Sequence, residues 1–164
     1  MKKGFRILRF KKDKPIFEIQ DVSKSFDGRP VLKKLSLKVF PGEIVGILGP
    51  NGCGKTTLFS MCIGEQSIDN GKILLNNKAI DQVPIHLRAE EGLGYLPQQR
   101  SVFNMSVYDN ILGVAQISIK GTEKQKAITE KLLDEFNLQH LRLLNANVLS
   151  GGELRRLMMA RVMI

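Results

Sequence analysis

The sequence contains no tryptophan and only two tyrosines, two histidines and two cysteines. Two thiols cannot build a disulfide framework, and Cys53 and Cys62 match no zinc-ligand spacing, so both are expected to be reduced bystanders. No stretch approaches the roughly 20 apolar residues that cross a bilayer. The N-terminus lacks the apolar run and small-residue cleavage site of a secretory signal, and the expected location is cytoplasmic. Internal repeats and low-complexity linkers are absent too, which excludes repeat arrays and marks no second independently folding unit. His86 and His140, the only histidines, are expected at the surface.

What is present is an ordinary globular balance of 43% hydrophobic and 25% charged residues, enough in 164 residues for one folded domain. The net charge of +9 is unevenly placed. Lys2, Lys3, Arg6, Arg9, Lys11, Lys12 and Lys14 crowd the first 14 residues against a single acid, Asp13. Phe5, Ile7, Leu8 and Phe10 interleave with them, as in a peptide lying on anionic lipid; a solvated terminus is the other reading of this tail, residues 1–15. With the charge concentrated in a tail, nucleic acid is not the expected partner.

Hydrophobic patterning gives the order of elements. IFEIQD (16–21) and LSLKVF (35–40) alternate as half-buried strands on either side of the turn DGRP (27–30). PGE leads into IVGIL (44–48), an apolar run without alternation, as expected of a parallel strand buried on both faces. TTLFSMCIG then has helical spacing with a natural stop at Gly64. Asn70-Gly71 turns into the strand KILLN, and GLGYL (92–96) is expected as another buried strand, halted by Pro97. Beyond it the signals become helical: Ser106 with Asp109, and Thr122 with Gln125, read as N-terminal caps, the second before an apolar face of Ile128, Leu132, Leu133 and Phe136. The architecture is α/β, with a helical subdomain over about 103–160.

GPNGCGKTT (49–57) satisfies the phosphate-loop pattern and sits where its mechanism demands, after an apolar run and before a helix. Gly49, Gly52 and Gly54 permit backbone approaches that a Cβ blocks, so the amides of the loop, with Pro50, Asn51 and Cys53 between the glycines, can point at phosphate oxygens. Lys55 would reach the β- and γ-phosphates, Thr56 would offer its hydroxyl to Mg²⁺, and the helix starting near Thr57 adds its positive dipole end. The site is expected to bind a nucleoside triphosphate. Farther on, in LSGGE (149–153), Ser150 caps a helix, Gly151 and Gly152 leave their N–H groups bare, and Glu153 completes a capping box. Taken alone, that is an ordinary capped helix; beside a phosphate loop it is a second anion site.

LSGGE, with its helical continuation LRRLMMARV, resembles the signature sequence of the ABC ATPase family, a branch of the P-loop NTPases. The resemblance covers nearly the whole chain after the basic tail. It implies an ABC-type core with an N-terminal antiparallel β subdomain and an inserted helical subdomain, the domain running over 16–164. It also implies a head-to-tail dimer in which the signature of one ATPase domain closes over the γ-phosphate held by the loop of the other. Gln98, in GYLPQQ, matches the family glutamine that reaches Mg²⁺ and links the site to the membrane partner, with Gln99 beside it as a rival. Phe26, in VSKSF, matches the aromatic that stacks on adenine, a core phenylalanine being the alternative. Phe103 matches the groove that receives a coupling helix of the transmembrane permease subunits, against a plain subdomain phenylalanine. By the same resemblance the protein is peripheral on the cytoplasmic face of the inner membrane.

Within the family, GEIVGILGPNGCGKTT, VPIHLRAEEGLGYLPQQRSVF and SVYDNI are most similar to the ATPases of lipopolysaccharide-export transporters, with the branched-chain amino-acid importers sharing much of the pattern. Gln99 departs from the acidic residue usual after the glutamine, and the link from Phe103 to Ser106 is one residue short. The family pattern next requires a hydrophobic strand ending in Asp-Glu and then a switch histidine, and the chain ends at Ile164 before either. The expectation is therefore a domain lacking its C-terminal part, an ATPase by family that binds ATP without useful turnover alone. A non-catalytic fragment of a split gene is the alternative.

Overall fold

A computed structural model describes residues 14–164; residues 1–13 of the basic tail, and with them its expected lipid contact, lie outside the described residues. Two compact units divide the chain, one ending at Leu93 and one spanning Gly94–Ile164.

The first unit is built on a four-stranded antiparallel sheet of order β2-β1-β3-β4, formed by β1 (Phe17–Phe26), β2 (Arg29–Val39), β3 (Asn70–Leu75) and β4 (Lys78–Ala79). β1 and β2 join through Asp27-Gly28, both left-handed at φ 48° and 75°, a two-residue turn whose twist matches that of the strands. Strict alternation fails in β1, where Ile19 and Val22 both face the core three residues apart. The register shifts between them and Asp21 adopts φ 47°, so a bulge absorbs the extra residue. Gly71 is not the turn expected of Asn70-Gly71 but lies inside β3. A Cβ there would come within 2.4 Å of the Gln20 carbonyl, so only glycine lets β3 approach the bulge.

Helix α1 (Lys55–Ile63) lays Leu58, Met61 and Cys62 against Ile19, Val22, Ile73 and Leu75 of the sheet. Gly64, left-handed at φ 88°, ends it, as the sequence predicts. Short helix α2 (Ile85–Glu90) buries, unusually, an arginine, Arg88.

Two expected strands are not formed. Residues 44–48 and 92–96 pair with no other strand among the described residues. An apolar run acquires strand geometry only when neighbours complete its ladder, and the four strands present use one another. Ile44 and Leu48 are accordingly 99% and 95% exposed.

The second unit packs α3 (Val107–Ser118), α4 (Thr122–Glu135) and α5 (Gly151–Val162) around Ile111, Leu133 and Leu157, all fully buried. Ser106 caps α3 by accepting the Asp109 N–H. The cap of α4 is Gly121 rather than Thr122, which is already helical; Gln125 instead turns its amide to the Ile119 carbonyl at 2.7 Å. Ile128, Leu132, Leu133 and Phe136 face this core. No helix among the described residues is long and apolar enough to cross a membrane.

Candidate nucleotide-binding site

The phosphate loop enters α1 through two left-handed glycines, Gly52 at φ 81° and Gly54 at φ 95°. Gly54 is pressed onto β2, since a Cβ on it would lie 3.0 Å from Val31 Cγ1 and 3.1 Å from Leu32 Cδ2. Gly49 is pressed onto Cys53, where the corresponding distance to Sγ is 2.7 Å. Between them the chain makes one short turn, the Cys53 N–H donating to the Pro50 carbonyl at 3.4 Å.

This turn leaves most of the loop's amides without a main-chain acceptor. The Leu58 N–H is the first to find a helical acceptor, the Gly54 carbonyl at 2.9 Å. The amides of Gly52, Gly54, Lys55, Thr56 and Thr57 donate to no acceptor among the described residues. Five successive or near-successive donors without partners, at the positive end of a helix dipole, form a concave nest for an anion. Burying them without one would be costly, yet Gly52 and Thr56 are exposed, so the loop is open to a ligand.

Lys55 folds its ammonium back over the loop, donating to the carbonyls of Gly49 at 2.6 Å and Pro50 at 2.7 Å. The positive charge is thereby held beside the bare amides rather than swept through solvent. Asn51 and Cys53 are exposed, Thr57 half-buried. The Thr56 hydroxyl meets no protein acceptor among the described residues. Phe26 ends β1 half-exposed, with the Lys24 ammonium 5.5 Å from its ring and Asp69 holding that ammonium at 2.9 Å.

In the second unit the N-terminus of α5 repeats the arrangement. Ser150 accepts the Glu153 N–H, and the Glu153 carboxylate receives the Ser150 hydroxyl at 2.6 Å and amide at 2.8 Å, a complete capping box. These bonds hold the Glu153 carboxyl below the usual carboxylate range. Gly151 and Gly152, exposed and with open space where a side chain would stand, keep free N–H groups. Gln98 is exposed, as is Gln99, and Phe103 is 47% exposed with the Arg161 guanidinium 4.6 Å over its ring. His86 and His140 are both exposed. Cys62 is buried, and burial pushes its thiol up to about 11, which leaves it protonated and inert.

Three residues that matter here carry no motif. Arg88 is 2% exposed and spends its guanidinium on main-chain carbonyls, those of Met61 and Cys62 at 2.8 Å, Val83 at 2.7 Å and Asp81 at 3.1 Å. It thus caps the C-terminal end of α1, opposite the nest, and its bulk makes glycine obligatory at Gly64. Asn110, fully buried, accepts the Phe103 N–H at 2.8 Å and donates to the carbonyls of Phe103, Met105 and Ser106. Arg161, on α5, reaches Phe103. Nothing in the sequence singles out Asn110 or Arg161, and a lone arginine in a polar stretch gives no sign that it will be buried.

Comparison with known proteins follows the same residues. A family model described as ABC transporter matches residues 32–164, which hold both bare-amide sites. The lipopolysaccharide export system ATP-binding protein LptB of Escherichia coli K12 is 44% identical over 146 residues, covering 88% of this chain and 61% of that protein. Its namesake in Haemophilus influenzae is 42% identical over 150 residues, covering 90% of this chain and 62% of that protein. The chain thus spans less than two thirds of these relatives' length. Among solved structures, cbiO1 from Clostridium perfringens, part of the ABC transporter complex cbiONQ, superposes with a TM-score of 0.83 at 28% identity, over 91% of this chain and 61% of its own. A phosphate loop and a capped LSGGE helix inside one matched P-loop NTPase fold place the chain in the ABC transporter family.

Proposed function

We propose that this protein is the ATP-binding and ATP-hydrolysing subunit of a transporter, energising export of lipopolysaccharide from the cytoplasmic face of the inner membrane. The observation that carries the reading is the pair of bare-amide clusters, at Gly52 to Thr57 and at Gly151-Gly152, each set in rigid backbone by glycine conformation or a capping box. The names of the relatives favour lipopolysaccharide export over branched-chain amino-acid import.

In this account the loop amides and Lys55 bind the β- and γ-phosphates, and the face of Phe26 stacks on adenine. Thr56 would offer Mg²⁺ its unengaged hydroxyl, and Gln98 would offer its amide oxygen, each a hard donor of the kind that ion prefers. That ion, where bound, offsets the charge of the β- and γ-phosphate oxygens. Ser150, Gly151 and Gly152 serve a second ATPase domain, closing over the nucleotide that domain holds in a head-to-tail homodimer. Phe103 meets the transmembrane permease subunits. Closure of the dimer by ATP and reopening on hydrolysis supply two states to be transmitted to the membrane.

For the 164-residue polypeptide itself the proposal is binding without useful turnover, because orienting the attacking water and completing the Mg²⁺ shell need carboxylates that the described site does not gather. Titrating a fluorescent ATP analogue, with steady-state phosphate release measured in parallel, tests this. Binding that weakens at least about tenfold in Lys55→Ala, without phosphate release, is expected. Release that Lys55→Ala abolishes would refute the binding-only part; binding indifferent to Lys55 would refute the site.

A further inference from the structure

The helix that begins with the LSGGE amides also carries, on its side, the segment that holds Gln98 and Phe103. Three contacts strap them together within the second unit. Gly94 lies so close to Val162 that a Cβ would stand 2.7 Å from its Cγ1. Arg155 donates to the Pro97 carbonyl at 3.2 Å, next to Gln98. Arg161 donates to the Ser101 carbonyl while its guanidinium lies 4.6 Å from the centre of the Phe103 ring. The loop's other side is fixed by Asn110, whose amide uses all its capacity on residues 103 to 106.

Arg161 is an expensive way to hold a loop. It is half-buried, its Nε is buried without an acceptor, and no carboxylate pairs with it among the described residues. Burial pulls its guanidinium below the usual arginine range. A neutral apolar side chain would fill this position at lower cost. The guanidinium does two things that such a residue cannot: it grips a carbonyl and stacks on an aromatic face in one rigid plane.

We infer that Arg161 is a positioning residue that fixes Phe103 to the signature helix, so that the attitude of α5 set by nucleotide at its N-terminus is delivered to Phe103. The inference rests on the reading above, in which the Gly151-Gly152 amides meet a partner's γ-phosphate. Asn110 keeps the loop stiff enough to move as one piece with α5; Arg161 is the joint between them. Arg155 holds the Gln98 end of the same segment.

The absence of tryptophan makes a direct test available. Phe103→Trp keeps a ring for the guanidinium and places a single indole at the joint. Its emission is recorded with saturating ATPγS and with ADP, in the 164-residue chain and in the protein extended to its relatives' length. The affinity for ATPγS is measured separately by calorimetry. The expected result is an ATPγS-minus-ADP emission shift that is lost in Phe103→Trp/Arg161→Met and in Phe103→Trp/Arg161→Lys, with ATPγS affinity changed less than about twofold. The lysine variant keeps charge and solubility should the methionine variant fold poorly, and lacks the planar fork. A shift that persists in both double variants overturns the inference and leaves the proposed function standing. No shift in Phe103→Trp alone, in either length of chain, overturns both, because Phe103 then does not register nucleotide at all.

Discussion

Replacing Gly52 and Gly54 by alanine, one at a time, separates what the phosphate loop needs for folding from what it needs for binding. Both glycines are left-handed, at φ 81° and 95°. Forcing a Cβ into that region costs roughly 1–2 kcal/mol, offset by about 0.4–1 kcal/mol from the stiffer unfolded chain. Their surroundings differ. Nothing lies within 4 Å of a Cβ on Gly52, whereas on Gly54 it meets Val31 Cγ1 at 3.0 Å, Leu32 Cδ2 at 3.1 Å and the Val31 carbonyl at 3.4 Å. Overpacking of this kind adds about 1–3 kcal/mol. Gly52→Ala should therefore cost about 1 kcal/mol and Gly54→Ala about 2–4 kcal/mol. In a thermal melt followed by circular dichroism the second should unfold several degrees below the first, at about 2–4 °C per kcal/mol. Both should weaken ATP-analogue binding by about tenfold or more, since each displaces amides of the nest. Equal melting temperatures would refute the packing assigned to Gly54, and unchanged affinity in both would refute the nest.

Arg88→Met keeps the volume and strands the carbonyls of Cys62, Asp81 and Val83, the Met61 carbonyl keeping the Gly64 N–H. A loss of about 3 kcal/mol or more in urea unfolding is expected, and a loss under about 1 kcal/mol would show that water reaches those groups. The Glu153 carboxyl is held low by Ser150, so its stabilising effect is complete above the ordinary carboxylate range and is lost as pH falls through its lowered folded value. Stability measured down to about pH 3 should fall more steeply in the native protein than in Glu153→Gln, and parallel profiles would contradict the capping box as the source. Ile44 and Leu48, bare at 99% and 95% exposure, should drive association of this polypeptide. Ile44→Thr/Leu48→Thr should raise its soluble fraction in sedimentation, and no change would place the association elsewhere.

The sequence is most legible where function and local chemistry coincide. The phosphate loop, the Ser150 capping box, the Ser106 cap, the Gly64 stop and the β1–β2 hairpin are all decided by residues within one turn of each other. Misreadings begin where structure depends on distant partners. Residues 44–48 and 92–96 have the composition of buried parallel strands, but a ladder needs a neighbour that no local pattern supplies. Gly71 reads as a turn because Asn-Gly usually is one; the nearby bulge at Asp21 decides otherwise. The α4 cap moved by one residue because Gly121 provides the free main-chain geometry and Gln125 was drawn to the Ile119 carbonyl. Arg88, Asn110 and Arg161 were invisible because their partners are carbonyls, or a ring, whose position only the fold determines.

A structure of the protein at its relatives' length, bound to a slowly hydrolysed ATP analogue and Mg²⁺, tests the two-cluster account most directly. The predicted result is one γ-phosphate held by Lys55 and the loop amides of one protomer and, about 3 Å away, by the Gly151 and Gly152 amides of its partner. A nucleotide bound in the loop with LSGGE facing solvent in every assembly would contradict it.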